Sequence, residues 1–210
     1  MKLKEKYTSL KELEFVKIKS KYNKLLNNFK TYQSELKNFL IEDALNGQDI
    51  CISTTYLIFD KKEHYKNKND ISKLSLLGYV TITNDSISLD SKLKEKFQEK
   101  GIIYKALPAL KIGRLCVDED YERRGLGRLI LAFCIKRAAY LNKQIACRFI
   151  TLDAKRNNER SKDSYHFYHK FNFQILINKN KTKEELIRQK SGTTALYLDI
   201  YHIIKKLSIC

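Results

Sequence analysis

Between Ala109 and Leu141 the hydrophobic pattern changes period, and the change falls across Arg123-Arg124-Gly125-Leu126-Gly127-Arg128. On the near side, ALKIGRLCVD (109–118) is almost continuously apolar, the mark of a buried strand; Pro108, the only proline, introduces it. On the far side Leu126, Leu129, Ile130, Phe133, Cys134, Ala138 and Leu141 recur at helical spacing and predict one face of a helix of about 17 residues. Such a junction is a ready anion cradle. The first N–H groups of the helix have no intrahelical partner, and the helix dipole favours negative charge there. Gly125 and Gly127 keep Cβ atoms out of the approach, and Arg123, Arg124 and Arg128 add charge. From G-x-G alone, a glycine-softened turn reads equally well. Strand, glycines, helix start and arginines together point to phosphate or pyrophosphate. No G-K-[ST] follows, and the third position of a dinucleotide fingerprint is Ile130, so neither of those phosphate motifs is present.

The rest of the chain is read more coarsely. Residues 1–46 are rich in Lys, Glu and Leu without Pro or Gly, and predict one or two helices ending at Asn46-Gly47. Their apolar spacing is irregular at first, which sets residues 1–28 apart as a charged helical extension of a domain spanning 29–210. Strands are predicted at 50–59, 76–83, 148–153, 173–178 and 194–203. A loop or hairpin is expected at 60–70, a turn at Asn84-Asp85-Ser86, and short helices at 91–101 and 161–170, the latter capped by Ser161 or Asp163. The charged segment 179–192 separates the last two strands. No internal repeat is present. The order predicts an α+β, mixed-sheet domain.

Composition narrows the class. At 43% hydrophobic residues the 210-residue chain has enough for a core, so wholesale disorder is excluded. No stretch has the ~18 apolar residues of a membrane span, and the charged start has no apolar region behind it, so no secretory signal is expected. Five cysteines without a C-x-x-C pair argue against a disulfide scaffold or a zinc site; no metal is expected, and a cytoplasmic location is. The net charge is +17, of which 11 falls in residues 101–190, and all nine arginines lie from Arg114 to Arg188. Lysine abundance reads as base composition. Base composition does not confine every guanidinium to one segment, and arginine suits phosphate contact.

At these residues the chain resembles a known family. Strand–Arg123-Arg124-Gly125-Leu126-Gly127-Arg128–helix resembles motif A, [Q/R]-x-x-G-x-[G/A], of the GNAT N-acetyltransferase superfamily. Phe167-Tyr168-His169-Lys170-Phe171-Asn172-Phe173 is similar to its F-Y-x-x-x-G-F. Residues 107–118 (LPALKIGRLCVD) and Thr151-Leu152-Asp153-Ala154 look like the P-A-x-x-x-G-R-L-A-V-D and V-D-A of one subgroup. That subgroup includes toxins of toxin–antitoxin modules that acetylate aminoacyl-tRNA. The resemblance covers residues 30–203. It departs from the family at Glu122, which stands at the [Q/R] position, at Asn172, which replaces a glycine but tolerates left-handed backbone, and in an enlarged loop holding Asn157, Asn158, Glu159 and Arg160.

The resemblance implies a GNAT-type fold, a mostly antiparallel mixed sheet flanked by helices. It also implies direct acetyl transfer from acetyl-CoA, the cosubstrate, to a primary amine. Residues Arg123, Arg124, Gly125, Leu126, Gly127 and Arg128 would cradle its pyrophosphate. Backbone N–H groups along Leu115, Cys116 and Val117 would polarise the thioester carbonyl. Tyr168 would protonate the leaving sulfur, with Tyr165 in reserve; the alternative for Tyr168 is an aromatic packed under the sheet. Asp118 and Glu119 read as solvated turn acids, His166 and His169 as decoration of the helix, and Cys116 as a small core residue rather than a nucleophile. The want of an obvious base favours an α-amine, near pKa 7.7–8.0, over a lysine near 10.4. Lys155, Arg156, Arg160 and Lys162 are candidate contacts to a tRNA acceptor end. Expected partners are acetyl-CoA, aminoacyl-tRNA, a small antitoxin protein and a second copy in a homodimer, with no membrane. The alternatives are acetylation of small amines or protein amines, and a non-catalytic GNAT-like binding module.

Overall fold

The computed structural model describes residues 6–88, 91–159, 163–177 and 182–208. Among these, strands β1 (Leu13–Lys17), β2 (Thr54–Asp60), β3 (Gly78–Ser88), β4 (Ala106–Val117), β5 (Phe149–Lys155), β6 (Gln174–Ile175) and β7 (Thr193–Asp199) form one sheet. Its order is β1-β2-β3-β4-β5-β7-β6, and it is mixed but mostly antiparallel. The helices are α1 (Asn23–Leu26), α2 (Ser34–Asn38), α3 (Ala44–Asp49), α4 (Lys61–Lys66), α5 (Ser91–Gln98), α6 (Leu126–Leu141), α7 (Ser164–His169), α8 (Lys183–Arg188) and α9 (Tyr201–Ser208). This is the α+β, GNAT-type architecture expected. Among the described residues no helix is long and apolar enough to cross a membrane.

The chain divides into two compact units, Met1–Thr83 with Ile112–Cys134, and Asn84–Lys111 with Ile135–Cys210. In the first, β1 pairs antiparallel with β2 from Leu13↔Asp60 to Lys17↔Tyr56, and β2 with β3 from Thr54↔Ile82 to Ile58↔Gly78. Phe15 stacks on Phe133 of α6 at 4.0 Å between ring centroids, and Tyr56 meets the same ring edge-on at 5.0 Å. Phe29, Leu57, Phe59, Leu77 and Tyr79 are fully buried at its core. In the second unit β5 and β7 pair along seven residues, Phe149↔Asp199 to Lys155↔Thr193. There Phe97 of α5 packs edge-on against Phe149, which meets Tyr197, with Ile87, Leu107 and Ala109 completing the cluster.

Local readings fail where tertiary pairing or a cap decides the outcome. Helix was expected throughout residues 1–46, yet Leu13–Lys17 is a strand. The Lys/Glu/Leu composition favours helix, but alternation places Leu13 and Phe15 on one face and the edge of β2 supplies partners. The expected loop at 60–70 contains α4, because the Asp60 carboxylate accepts from Glu63 N at 2.9 Å. The expected turn at 84–86 is absent; β3 runs unbroken to Ser88. The charged segment after β6 holds α8, opened by a reciprocal Thr182–Glu185 capping box. The last strand stops at Asp199, whose side chain accepts from Tyr201 N at 3.0 Å and turns the chain into α9. Asp163, one of the two residues expected to cap α7, does so through Tyr165 N at 2.9 Å.

Candidate active site

In the first unit β4 ends at Val117, and the next residue fixes the turn. Asp118 is 4% exposed; its carboxylate accepts from Lys30 N at 2.7 Å and from Asp120 N at 3.0 Å. Glu119 N returns a bond to Lys30 O at 3.1 Å. The expectation of a solvated acid at Asp118 is therefore corrected: residues 30 and 118–120 form a clasp in which Asp118 is buried while Lys30, Glu119 and Asp120 are exposed. Arg123 (φ 61°) and Gly125 (φ 84°) then take left-handed backbone, and α6 begins at Leu126 with no acidic residue in its first turn. Leu129 N donates to Gly125 O at 3.3 Å, so the N–H groups of Leu126, Gly127 and Arg128 precede the first intrahelical bond.

The three arginines of this turn divide. Arg123 and Arg128 are exposed. Arg124 folds back, its Nη2 donating to Asp120 O at 2.7 Å and its guanidinium lying 4.7 Å from the Tyr121 ring centroid. The main chain of Tyr7 lies against the same turn: its N–H donates to Arg124 O at 3.0 Å. A Cβ at Gly125 would come within 2.8 Å of the Tyr7 carbonyl oxygen. Burial and the Asp60 carboxylate beside it push the Tyr7 hydroxyl up to about 12. Exposed cations, left-handed backbone and the leading N–H donors of a helix with no acid in its first turn are a set that suits the pyrophosphate of acetyl-CoA.

Along β4, Leu115 and Val117 are half-buried and Cys116 is buried. The Cys116 thiol donates to Thr31 Oγ1 at 3.5 Å, and burial pushes it up to about 11. At neutral pH it is a thiol packed in the core, and a covalent acetyl-cysteine route gains nothing from it. Its carbonyl is close to β3: a Cβ at Gly78 would stand 2.6 Å from Cys116 O. Among the described residues no group of three or more His, Cys, Asp or Glu could hold a metal ion.

The other candidates belong to the second unit. Tyr168, on α7, is buried at 7% exposure, between the edges of Phe167 (5.0 Å) and Phe173 (5.5 Å). Asn172 adopts φ 63°, so the turn after α7 survives the loss of the family's glycine. Tyr165, the reserve proton donor, has its ring 4.2 Å beneath the Arg156 guanidinium. Arg156 was expected to face a substrate, and the structure corrects this. It is 6% exposed, donates to Leu186 O at 3.2 Å and Ile187 O at 3.0 Å, and pairs with Asp163 at 3.3 Å. Its charge holds α7 and α8 together. Arg148 is likewise bound internally, bidentate on Asp199 at 3.2 and 2.9 Å. Lys155 is half-buried at the end of β5; Arg160 and Lys162 lie outside the described residues. A cleft of about 480 Å³ in this unit is lined by Tyr165, His169, Phe173, Lys183, Ile187 and Tyr197 among others.

Sequence reasoning missed Tyr7, Lys30 and Thr31. The first two act through main-chain atoms, which leave no mark in residue type, and Thr31 acts through a hydroxyl 85 positions from its partner.

The family described as Acetyltransferase (GNAT) domain matches residues 90–175. No curated protein is similar to the chain in sequence at a significant level. Among solved structures, a tyrosine-to-phenylalanine mutant of KacT superposes with a TM-score of 0.68 at 21% identity, covering 93% of this chain and 99% of that one. AtaT complexed with acetyl-methionyl-tRNAfMet gives 0.68 at 19% identity, covering 94% and 99%. A mutant AtaT toxin bound to the C-terminus of the antitoxin AtaR and acetyl-CoA gives 0.63 at 16% identity, covering 95% and 99%. These likenesses establish the fold.

Proposed function

We propose, from the premise that residues 90–175 form a GNAT acetyltransferase domain, that the acceptor of this acetyl-CoA-dependent N-acetyltransferase is the α-amine of an aminoacyl-tRNA. The observation that carries the reading is Asp118. It is the acid next to the cofactor strand, and it is buried with its oxygens engaged by Lys30 and Asp120. A carboxylate held that way is poorly placed to take a proton from an acceptor. An amine with pKa near 7.7–8.0 needs little such help at cellular pH, whereas a lysine near 10.4 needs a great deal. AtaT, with the same fold, is complexed with a tRNA carrying an acetylated methionyl group, which supports the same acceptor class.

Acetyl-CoA supplies an acetyl group activated as a thioester. The N–H groups of Leu126, Gly127 and Arg128, with the exposed charges of Arg123 and Arg128, hold its pyrophosphate. Main-chain N–H groups of Leu115, Cys116 and Val117 stabilise charge at the carbonyl oxygen. The Tyr168 hydroxyl gives its proton to the departing sulfur. A small antitoxin is the protein partner this reading calls for; AtaT binds one, AtaR, through the C-terminus of the antitoxin. Acetylation of a small or protein amine is the competing reading. It is favoured by Arg148 and Arg156, whose charges are paired inside the fold and so are withdrawn from any RNA surface. Labelled acetyl-CoA, offered with a complete charged tRNA pool, polyamines and a protein mixture, separates the two. Label in the tRNA fraction is expected; label confined to polyamines or protein overturns the tRNA reading.

A further inference from the structure

The turn that leads into α6 is held from two sides. At its start the Asp118 carboxylate ties it to Lys30. At its end the main chain of Tyr7 grips two consecutive residues: its N–H bonds Arg124 O at 3.0 Å, and its carbonyl oxygen lies where a Gly125 side chain would begin, 2.8 Å from that Cβ position. The grip is itself anchored. The Tyr7 hydroxyl bonds the Asp60 carboxylate at the end of β2. Thr8 Oγ1 donates to Glu12 at 2.9 Å, Ser9 N donates to Glu12 at 3.0 Å, and Ser9 Oγ accepts from Lys11 N at 3.2 Å. Glu12 is followed by β1, bonded along β2.

Such holding has a purpose in physical terms. Arg123 and Gly125 are both left-handed, and Arg123 is not a glycine. Backbone of that kind persists only where its surroundings over-determine it. The residues so fixed lie immediately before the donors that start α6. A small rotation of the Arg124–Gly125 peptide would swing those N–H groups off a bound anion, and electrostatic contacts of this kind depend on preorganised donors.

We propose that Tyr7 is a positioning residue for the acetyl-CoA site: its main chain clamps the Arg124–Gly125 peptide, so the segment ahead of β1 sets the aim of the first N–H groups of α6. The inference rests on the reading of 123–128 as the cofactor cradle. It assigns Gly125 a second duty, since the glycine admits the clamp as well as the left-handed turn. The clamp belongs to the backbone of residue 7, and its side chain only anchors it.

The test is acetyl-CoA titration by calorimetry on full-length variants. Tyr7→Pro, which deletes the N–H, is expected to weaken binding about five- to tenfold, while Tyr7→Ala, which keeps it, changes binding much less. Gly125→Ala probes the second contact, since it sets a Cβ against the Tyr7 carbonyl oxygen on left-handed backbone, and it should weaken binding as well. In turnover, KM for acetyl-CoA should rise with KM for the acceptor unchanged, a split that general destabilisation does not produce. Wild-type affinity in Tyr7→Pro overturns the clamp. The double variant Arg123→Gln, Arg128→Gln serves as the reference for the cradle. If it weakens binding while Tyr7→Pro does not, the clamp alone is wrong; if it leaves binding intact, the cradle is wrong and the clamp with it.

Discussion

Arg156 Nε stands 3.3 Å from Asp163 Oδ2, with the two side chains only 4% and 5% exposed. The same guanidinium covers Tyr165 and bonds the carbonyls that end α8. Removing one member of a buried pair leaves the other uncompensated, at a cost of about 3–5 kcal/mol. Arg156→Ala should therefore lower the urea midpoint sharply. Arg188→Ala, which removes an exposed charge on α8, should change stability by no more than about 0.5 kcal/mol and leave the midpoint nearly in place. Equal midpoints for the two variants would contradict the structural role.

Tyr168 offers a cleaner kinetic test. If its hydroxyl is the proton donor, Tyr168→Phe should reduce kcat by about 10²–10⁴-fold and leave acetyl-CoA binding nearly intact, since the ring keeps its contacts with Phe167 and Phe173. Near-normal turnover would remove Tyr168 from the chemistry. Tyr165, stacked under Arg156, would be a poor replacement.

Within the proposed acetyl-CoA cradle the arginines should behave unequally. Arg123→Ala and Arg128→Ala remove exposed charge and should weaken acetyl-CoA binding, more at low salt than at high. Arg124→Ala removes a bond to Asp120 O and the cover over Tyr121, so it should lower the melting temperature as well. A Kd and melting temperature for each variant decide this. Three identical profiles would mean the division read from exposure is wrong.

The strand, turn and helix around residues 109–141 were legible because one periodicity gives way to another there and the glycines mark the joint. Fold class followed from that junction and from the alternation of strands and helices. What could not be read were contacts made by main chain at long range, as between Tyr7 and Arg124, and the direction in which a charged side chain points. Arg156 and Arg123 are the same residue type in similarly basic segments. One is buried on Asp163 and the other exposed, and only the packing of α7 and α8 distinguishes them. β1 was lost for the opposite reason: its composition favours helix, and the edge of β2, 39 or more residues away, decides otherwise.

Buried thiols predict an alkaline weakness. Burial pushes Cys116 from an ordinary 9.0 up to about 11 and Cys134 to about 12. Between pH 9 and 11 the unfolded chain loses protons that the folded chain keeps, so stability falls as pH rises, by about 1.4 kcal/mol per unit for each thiol. Below pH 9 this contribution is fully present and flat. Urea midpoints measured from pH 7 to 11 should show a plateau and then a decline, reduced in Cys134→Ala relative to its own value at pH 7. A decline beginning near pH 7 would assign the titration to other groups.

The remaining prediction concerns the acceptor. With Arg156 paired internally, the cations proposed to grip a tRNA end reduce to Lys155, at the end of β5, with Arg160 and Lys162. If they contact phosphates, tRNA binding should weaken steeply with salt, with a log–log slope near −0.7 to −0.9 for each contact. Replacing the three with Gln should flatten that slope by about two to three units if each makes one contact. Acetylation of aminoacyl-tRNA should fall with it, while acetyl-CoA affinity is spared, because the cradle at 123–128 is untouched. Arg156 stays as it is in this variant, since altering it would unsettle α7 and confuse loss of contact with loss of fold. Filter binding across a salt series, read beside calorimetry with acetyl-CoA, distinguishes these outcomes. An unchanged slope would move the RNA contact to another surface, and a lost cofactor affinity would show that the variant disturbs more than the acceptor end.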